Sequence, residues 1–175
     1  MDLMLIRIFQ RQIELQMKYV LYSAQQINHG LNTQDVHFTF YAIQNLLNAS
    51  ANISKALWGS KKSNKSEQRK PLRDSFGVSD TSPLREVSMR NNFEHLDERL
   101  DRWWENSQNK NYCDLNLAPK DSIVDLDKSD EFRNFDPQTT NLTFWGEDFN
   151  LQAIVREVEQ LLPKLQSETA KTHWE

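Results

Sequence analysis

The chain has 175 residues, 38% of them hydrophobic, with a formal net charge of −4, four Gly, five Pro and a single cysteine. That length suits one domain with a real core, spanning residues 1–175, and so few Gly and Pro favour long regular elements over a loop-rich scaffold. A lone Cys113 excludes an intrachain disulfide and a thiolate-rich zinc site and fits a reducing compartment.

The charge is unevenly spread: residues 1–75 carry ten Lys/Arg against five Asp/Glu, and residues 76–175 carry eleven against twenty. The total does not point to a nucleic-acid partner, but a local positive surface is compatible with a phosphate backbone. The first twenty residues lack a basic leader, a long apolar run and a small-residue cleavage site. They read as an amphipathic helix, with no signal peptide and no membrane span.

Leu5, Ile6, Phe9, Ile13, Met17, Val20, Leu21, Ala24 and Ile27 recur every three or four residues, which predicts a helix over 2–28 that stops at His29-Gly30. Thr33 is placed to cap a second helix running to Trp58, and the short link makes the pair an antiparallel hairpin. Residues 59–82 read as a basic surface loop carrying Lys61, Lys62, Lys65, Arg69, Lys70 and Arg73, with a short helix around 72–76. A third helix is predicted from Ser82-Pro83, with Val87, Met89, Phe93, Leu96, Leu100, Trp103 and Trp104 as its apolar stripe. Along it Asn91, His95, Glu98 and Arg102 form one polar row, and Arg90, Glu94, Asp97 and Asp101 another.

The rhythm weakens after Ser107. Residues 112–148 read as an irregular or β-hairpin elaboration, with strands at 131–135 and 141–145 across the DPQT turn. Its aromatics, Phe132, Phe135, Phe144, Trp145 and Phe149, are expected to fill a small satellite core rather than to stack on bases; Trp103 and Trp104 are read the same way, with one of them a candidate for a subunit interface. A last helix is expected over 151–166, kinked or shortened by Pro163. The fold class is therefore mainly α: an antiparallel helical bundle with a β-hairpin or irregular insertion before the final helix.

There is no Gly-rich phosphate loop, HExxH pair or GxSxG elbow. The histidines at 29, 37, 95 and 173 are too dispersed for a metal cluster, so neither a metal nor another cofactor is expected. The sharper pattern is MRNNFEHLDERLDRWW. On an unbroken helix Arg90 and His95 lie about 7.5 Å apart along the axis, and Asn91 stands one turn from His95, placed to orient the imidazole. Arg90 suits the charge of a phosphodiester, and His95 can exchange a proton near neutral pH. An RNA 2′-hydroxyl then serves as nucleophile without a metal or a protein Ser or Cys. The plain alternative is a surface histidine in an Arg/Glu ion-pair lattice.

The segment RNNFEH resembles the Arg-x4-6-His motif of the HEPN superfamily, with the polar Asn91 following Arg90 as is frequent there. The helix hairpin, basic loop, SPLREVSMRNNFEHLDERLDRWW and terminal helix resemble bacterial HEPN-like proteins over most of the chain. The resemblance implies a homodimeric helical bundle with two motifs facing a common cleft, and a metal-independent endoribonuclease in which Arg90 stabilises phosphate, Asn91 assists and His95 performs acid/base work. Toxin–antitoxin, antiphage or RNA-processing roles, and a regulatory protein or antitoxin as partner, follow from the same likeness. The superfamily also contains noncatalytic members, which makes a protein-binding or regulatory module the alternative.

Overall fold

The computed structural model describes residues 1–60 and 65–172. Lys61, Lys62 and His173, singled out above, lie outside the described residues. Helix α1 spans Leu3–Asn32 and α2 spans Val36–Trp58. They form the expected hairpin, with Ile13, Met17, Val20 and Ile27 buried against Phe40, Ile43, Leu47 and Leu57.

Two boundaries differ from the sequence reading. Helix α1 runs through His29-Gly30 to Asn32, Thr33 closes it, and Asp35 caps α2 by accepting the Phe38 N–H at 2.9 Å. Gly30 acts through its missing side chain: a Cβ there would stand 2.5 Å from Thr39 Oγ1 and 3.0 Å from the Thr39 backbone nitrogen. The residue lets α2 approach α1 at the start of the hairpin instead of ending a helix.

The basic segment is partly helical, with α3 at Lys65–Gln68 and α4 at Lys70–Ser75. Its cations serve the fold. Arg69 donates to the carbonyls of Lys55 and Ala56, and the buried Arg73 donates to Leu57 O at 2.9 Å and to Ser66 O at 2.8 Å. The last carbonyls of α2, which have no partner within their own helix, are thereby satisfied by cations at the negative end of its dipole. Lys70 pairs with Asp74, and Lys65 donates to Gln68.

The single third helix of the sequence reading is three pieces: a 3-10 turn at Pro83–Arg85, α5 at Ser88–Glu94 and α6 at Leu96–Asn106. The breaks fall at Val87 and His95, whose backbone angles (φ −134°, ψ 7° and φ −105°, ψ 40°) leave the helical well. Met89 and Phe93 bury α5 against α2, whereas no residue of α6 is fully buried.

The elaboration is a four-stranded mixed sheet in the order β1-β2-β3-β4, with β1 at Asn116–Leu117, β2 at Asn134–Asp136, β3 at Asn141–Phe144 and β4 at Glu147–Asn150. Strand β1 pairs parallel to β2, and the other pairs are antiparallel. The hairpin across DPQT is present, and a second one turns at Trp145-Gly146. Phe132, Phe135, Phe144 and Phe149 belong to the same buried cluster as the helices, so the expected satellite core is continuous with the main one.

Helix α7, Leu151–Thr169, starts on an Asn150 cap and carries Pro163 in its interior without ending there. It packs on α1 through Ile154, Val158, Leu161 and Leu165. The buried Arg7 ties the two ends together, donating to Gln10, to Glu168 O at 2.9 Å and to the Glu168 carboxylate at 3.0 Å.

Among the described residues nothing covers one face of α1. Met1, Leu5, Ile8, Leu15, Tyr19 and Tyr22 are 39–57% exposed, and with Gln12 they follow a three-four spacing, the seam of a coiled coil. Tyr41, Asn45 and Asn48 of α2 continue this surface across a shallow groove of about 460 Å³. No helix among the described residues is long and apolar enough to cross a membrane.

Candidate functional site

Arg90, Asn91 and His95 meet at the α5–α6 junction. The Glu86 carboxylate takes the first amides of α5, accepting from Val87 N at 2.7 Å and Ser88 N at 2.6 Å. Burial of Met89 and Phe93, one turn apart, fixes which face of this short helix turns outward. His95 N donates to Asn91 O at 3.0 Å, closing α5, and Arg99 N donates to His95 O at 3.1 Å, opening α6. Asn92, buried between the two helices, accepts from Arg99 Nε at 3.1 Å and splints the break.

The motif is therefore not laid on one straight helix. Arg90 forms an ion pair with Glu94 and donates to Asn91 Oδ1 at 3.2 Å, so Asn91 braces the guanidinium, where the sequence reading had it orient the imidazole. Arg90 Nε is buried without a hydrogen-bond partner. The His95 imidazole is half exposed, with Nε2 at 4.0 Å from Glu94 Oε2 and Nδ1 at 3.4 Å from Glu98 Oε1. The same Glu94 oxygen faces both Arg90 and His95. At these separations the imidazole–carboxylate contacts are electrostatic rather than close hydrogen bonds, and they attract only when the ring is protonated.

The sequence rows placed Arg90 with Glu94 and His95 with Glu98 as ordinary helical neighbours, and both pairs form. Spacing alone did not show that Glu94 joins the two pairs, because that depends on the break at His95. Nor did it show that Arg99 and Arg102 of α6 reach the Trp145 ring, with guanidinium carbons 6.0 Å and 5.6 Å from its centroid. That contact is set by the turn between β3 and β4.

The groove between α1, α7 and the β2–β3 turn, about 390 Å³ and walled by Leu21, Ala24, Ile27, Phe135, Leu151 and Val155, shares no lining residue with the motif. Among the described residues no three His, Cys, Asp or Glu side chains converge as metal ligands would. Comparison with protein-family models, with curated proteins and with solved structures finds no match for this chain.

Proposed function

We propose that this protein is a HEPN-like, metal-independent endoribonuclease whose site is Arg90, Asn91 and His95. The observation that carries the reading is the convergence of a braced guanidinium and a half-exposed imidazole on one oxygen of Glu94. In the reaction His95 takes the proton of an RNA 2′-hydroxyl, the 2′-oxygen attacks phosphorus and the P–O5′ bond breaks. The products are a 2′,3′-cyclic phosphate and a 5′-hydroxyl. The proton removed from one oxygen equals the one the leaving oxygen needs, so the step balances without water or metal. Arg90, exchanging Glu94 for phosphate, offsets charge on the non-bridging oxygens, and Glu94 stays beside the imidazolium that forms.

A homodimer, which would give each proton transfer its own imidazole, is supported by the uncovered α1 seam. A cytoplasmic setting and an antitoxin-like regulator belong to the same reading. The second reading, a noncatalytic protein-binding module, is favoured by Glu94, Asp97, Glu98 and Asp101, which make the motif's surroundings acidic.

The test is incubation of the purified chain with mixed structured and single-stranded RNA in excess EDTA, beside a folded His95→Ala variant. Cleavage to cyclic-phosphate ends that the variant loses is the expected result. Equal products from both place the cleavage outside this motif, in a contaminant or another site, and none from either turns the assignment to the binding module.

A further inference from the structure

On helix α6 His95, Arg99, Arg102 and Asn106 follow one another at intervals of four, three and four residues and share one seam, flanked by Glu98 three residues from His95 and four from Arg102, while Asp97, Asp101 and Trp104 share another. Arg99 is held by Asn92. Arg102 is exposed, and among the described residues its guanidinium has no ion pair or hydrogen bond; its contact is the Trp145 ring.

Trp145 is an unusual occupant of its position. It stands first in the two-residue turn between β3 and β4, at φ 51°, with Gly146 at φ 77°. Such turns select Asn-Gly or Asp-Gly, because both central residues must adopt positive φ. The bulky ring meets Phe132 in a T-shaped contact and Phe144 at a tilt, and its Nε1–H is buried without an acceptor among the described residues. Beside it opens a pocket of about 300 Å³ lined by Arg102, Trp103, Asn106, Ser107, Ser129 and Trp145. A guanidinium against an indole, with the Asn106 side-chain oxygen (its Nδ2 donates to Arg102 O at 2.6 Å) and Ser129 on the rim, is chemistry that suits a flat, hydrogen-bonding ring attached to an anion.

We infer that Arg102, Asn106 and Trp145 form a subsite for one nucleotide of single-stranded RNA, the base against Trp145 and its phosphate on Arg102. The register rests on the ribonuclease reading: Arg102 lies seven residues beyond His95, about 10 Å along the helix, so the bound nucleotide flanks the one cleaved at His95. The acidic seam on the far side of α6 confines the strand to this path.

The experiment measures binding of a fluorescently labelled 2′-O-methyl-uridine 12-mer, which has no free 2′-hydroxyl to react, to the full chain at several salt concentrations. Arg102→Gln and Trp145→Phe are compared with a surface control, Lys171→Gln. Arg102→Gln is expected to weaken binding about tenfold and to flatten the slope of log affinity against log salt by about 0.7, the loss of one phosphate contact. Trp145→Phe keeps an aromatic platform and loses less. Because the probe cannot react, its binding is read apart from catalysis: RNA binding that depends on Arg102, in a chain that cleaves nothing, keeps the subsite and removes the nuclease. Arg102→Gln matching the control in affinity and slope, or no binding by the native chain at 50 mM salt, overturns the subsite, the latter in favour of a protein partner for this pocket.

Discussion

Asp130 is fully buried where α6 meets the sheet, and three donors converge on it. Trp103 Nε1 reaches Oδ1 at 2.7 Å, Ser107 Oγ reaches the same oxygen at 2.5 Å, and Asn111 N reaches Oδ2 at 3.3 Å. Burial pushes its carboxyl up, but the Ser107, Trp103 and Asn111 donors outweigh that and hold it below the ordinary range. Asp130→Ala leaves those three neutral donors without their acceptor and is expected to cost about 3–5 kcal/mol, at about 1–3 kcal/mol for each unsatisfied buried donor. Asp130→Asn keeps an oxygen for Trp103 and Ser107 but sets its NH₂ against the Asn111 N–H, a cost of about 1–2 kcal/mol. With a urea dependence of about 2 kcal/mol per molar, the Ala variant should unfold about 2 M earlier by tryptophan fluorescence. The sign with pH follows from the lowered folded value. The advantage of Asp over Asn is full above about 4, the unfolded value, and is lost as pH falls through the folded one. An Ala midpoint within about 0.3 M of the native one, or an Asp–Asn gap that persists in acid, refutes the account of Asp130 as the carboxylate that locks α6 to the sheet.

At Gly30, alanine would gain about 1 kcal/mol of helix propensity, but its Cβ meets Thr39 backbone as well as Oγ1. Overpacking of about 1–3 kcal/mol should win. Gly30→Ala therefore lowers the thermal midpoint, and a rise would show that the α1–α2 approach is not tight. The α1 seam is about 32 Å long from Met1 to Tyr22, and Tyr41, Asn45 and Asn48 of α2 continue it, so a second copy has a long apolar face to meet; a standard interface takes ~800 Å² from each partner. Sedimentation of the native chain is expected to give a dimer, and Ile8→Asp with Leu15→Asp a folded monomer. A native monomer at tens of micromolar removes the seam as a self-association surface.

Periodicity made the helices legible because burial recurs at 3.6 residues whatever the partner. It located α1, α2 and α7 and the DPQT hairpin. It failed where one residue answers to a distant neighbour. Gly30 reads as a stop until Thr39 is seen against it, and Thr33 reads as a cap until Asp35, two residues on, takes the amide. Arg69 and Arg73 look like spare charge on a loop because the carbonyls that absorb them end another helix. Val87 and His95 interrupt an apolar stripe that continues in phase on both sides, so the stripe predicts a single helix. The short strands β1 and β4 have too few residues for an alternation to register. Arg90, Asn91 and His95 were legible as a cluster from their spacing alone. Their mutual orientation was not, since it is decided by a backbone break at the histidine itself.

That break bears on how the site would work. The Arg90 side chain is 15% exposed and the Glu94 side chain 46%, so the carboxylate is the more exposed member of the pair. In the proposed reaction phosphate would replace Glu94 on Arg90, an exchange of one anion for another rather than a simple addition. The pairing with Glu94 spares Arg90 an unpaired charge in the free protein, which a mostly buried cation would otherwise carry at a cost. The exchange would leave Glu94 next to His95. The acidity around the motif, which argues against RNA when counted as net charge, thus divides into parts with different consequences. Glu94 and Glu98 lie against the groups that the proposed reaction would use, while Asp97 and Asp101 stand on the seam away from Arg99 and Arg102. In this reading the local order of charge on α6, and not the acidic total, decides whether a phosphate backbone can approach.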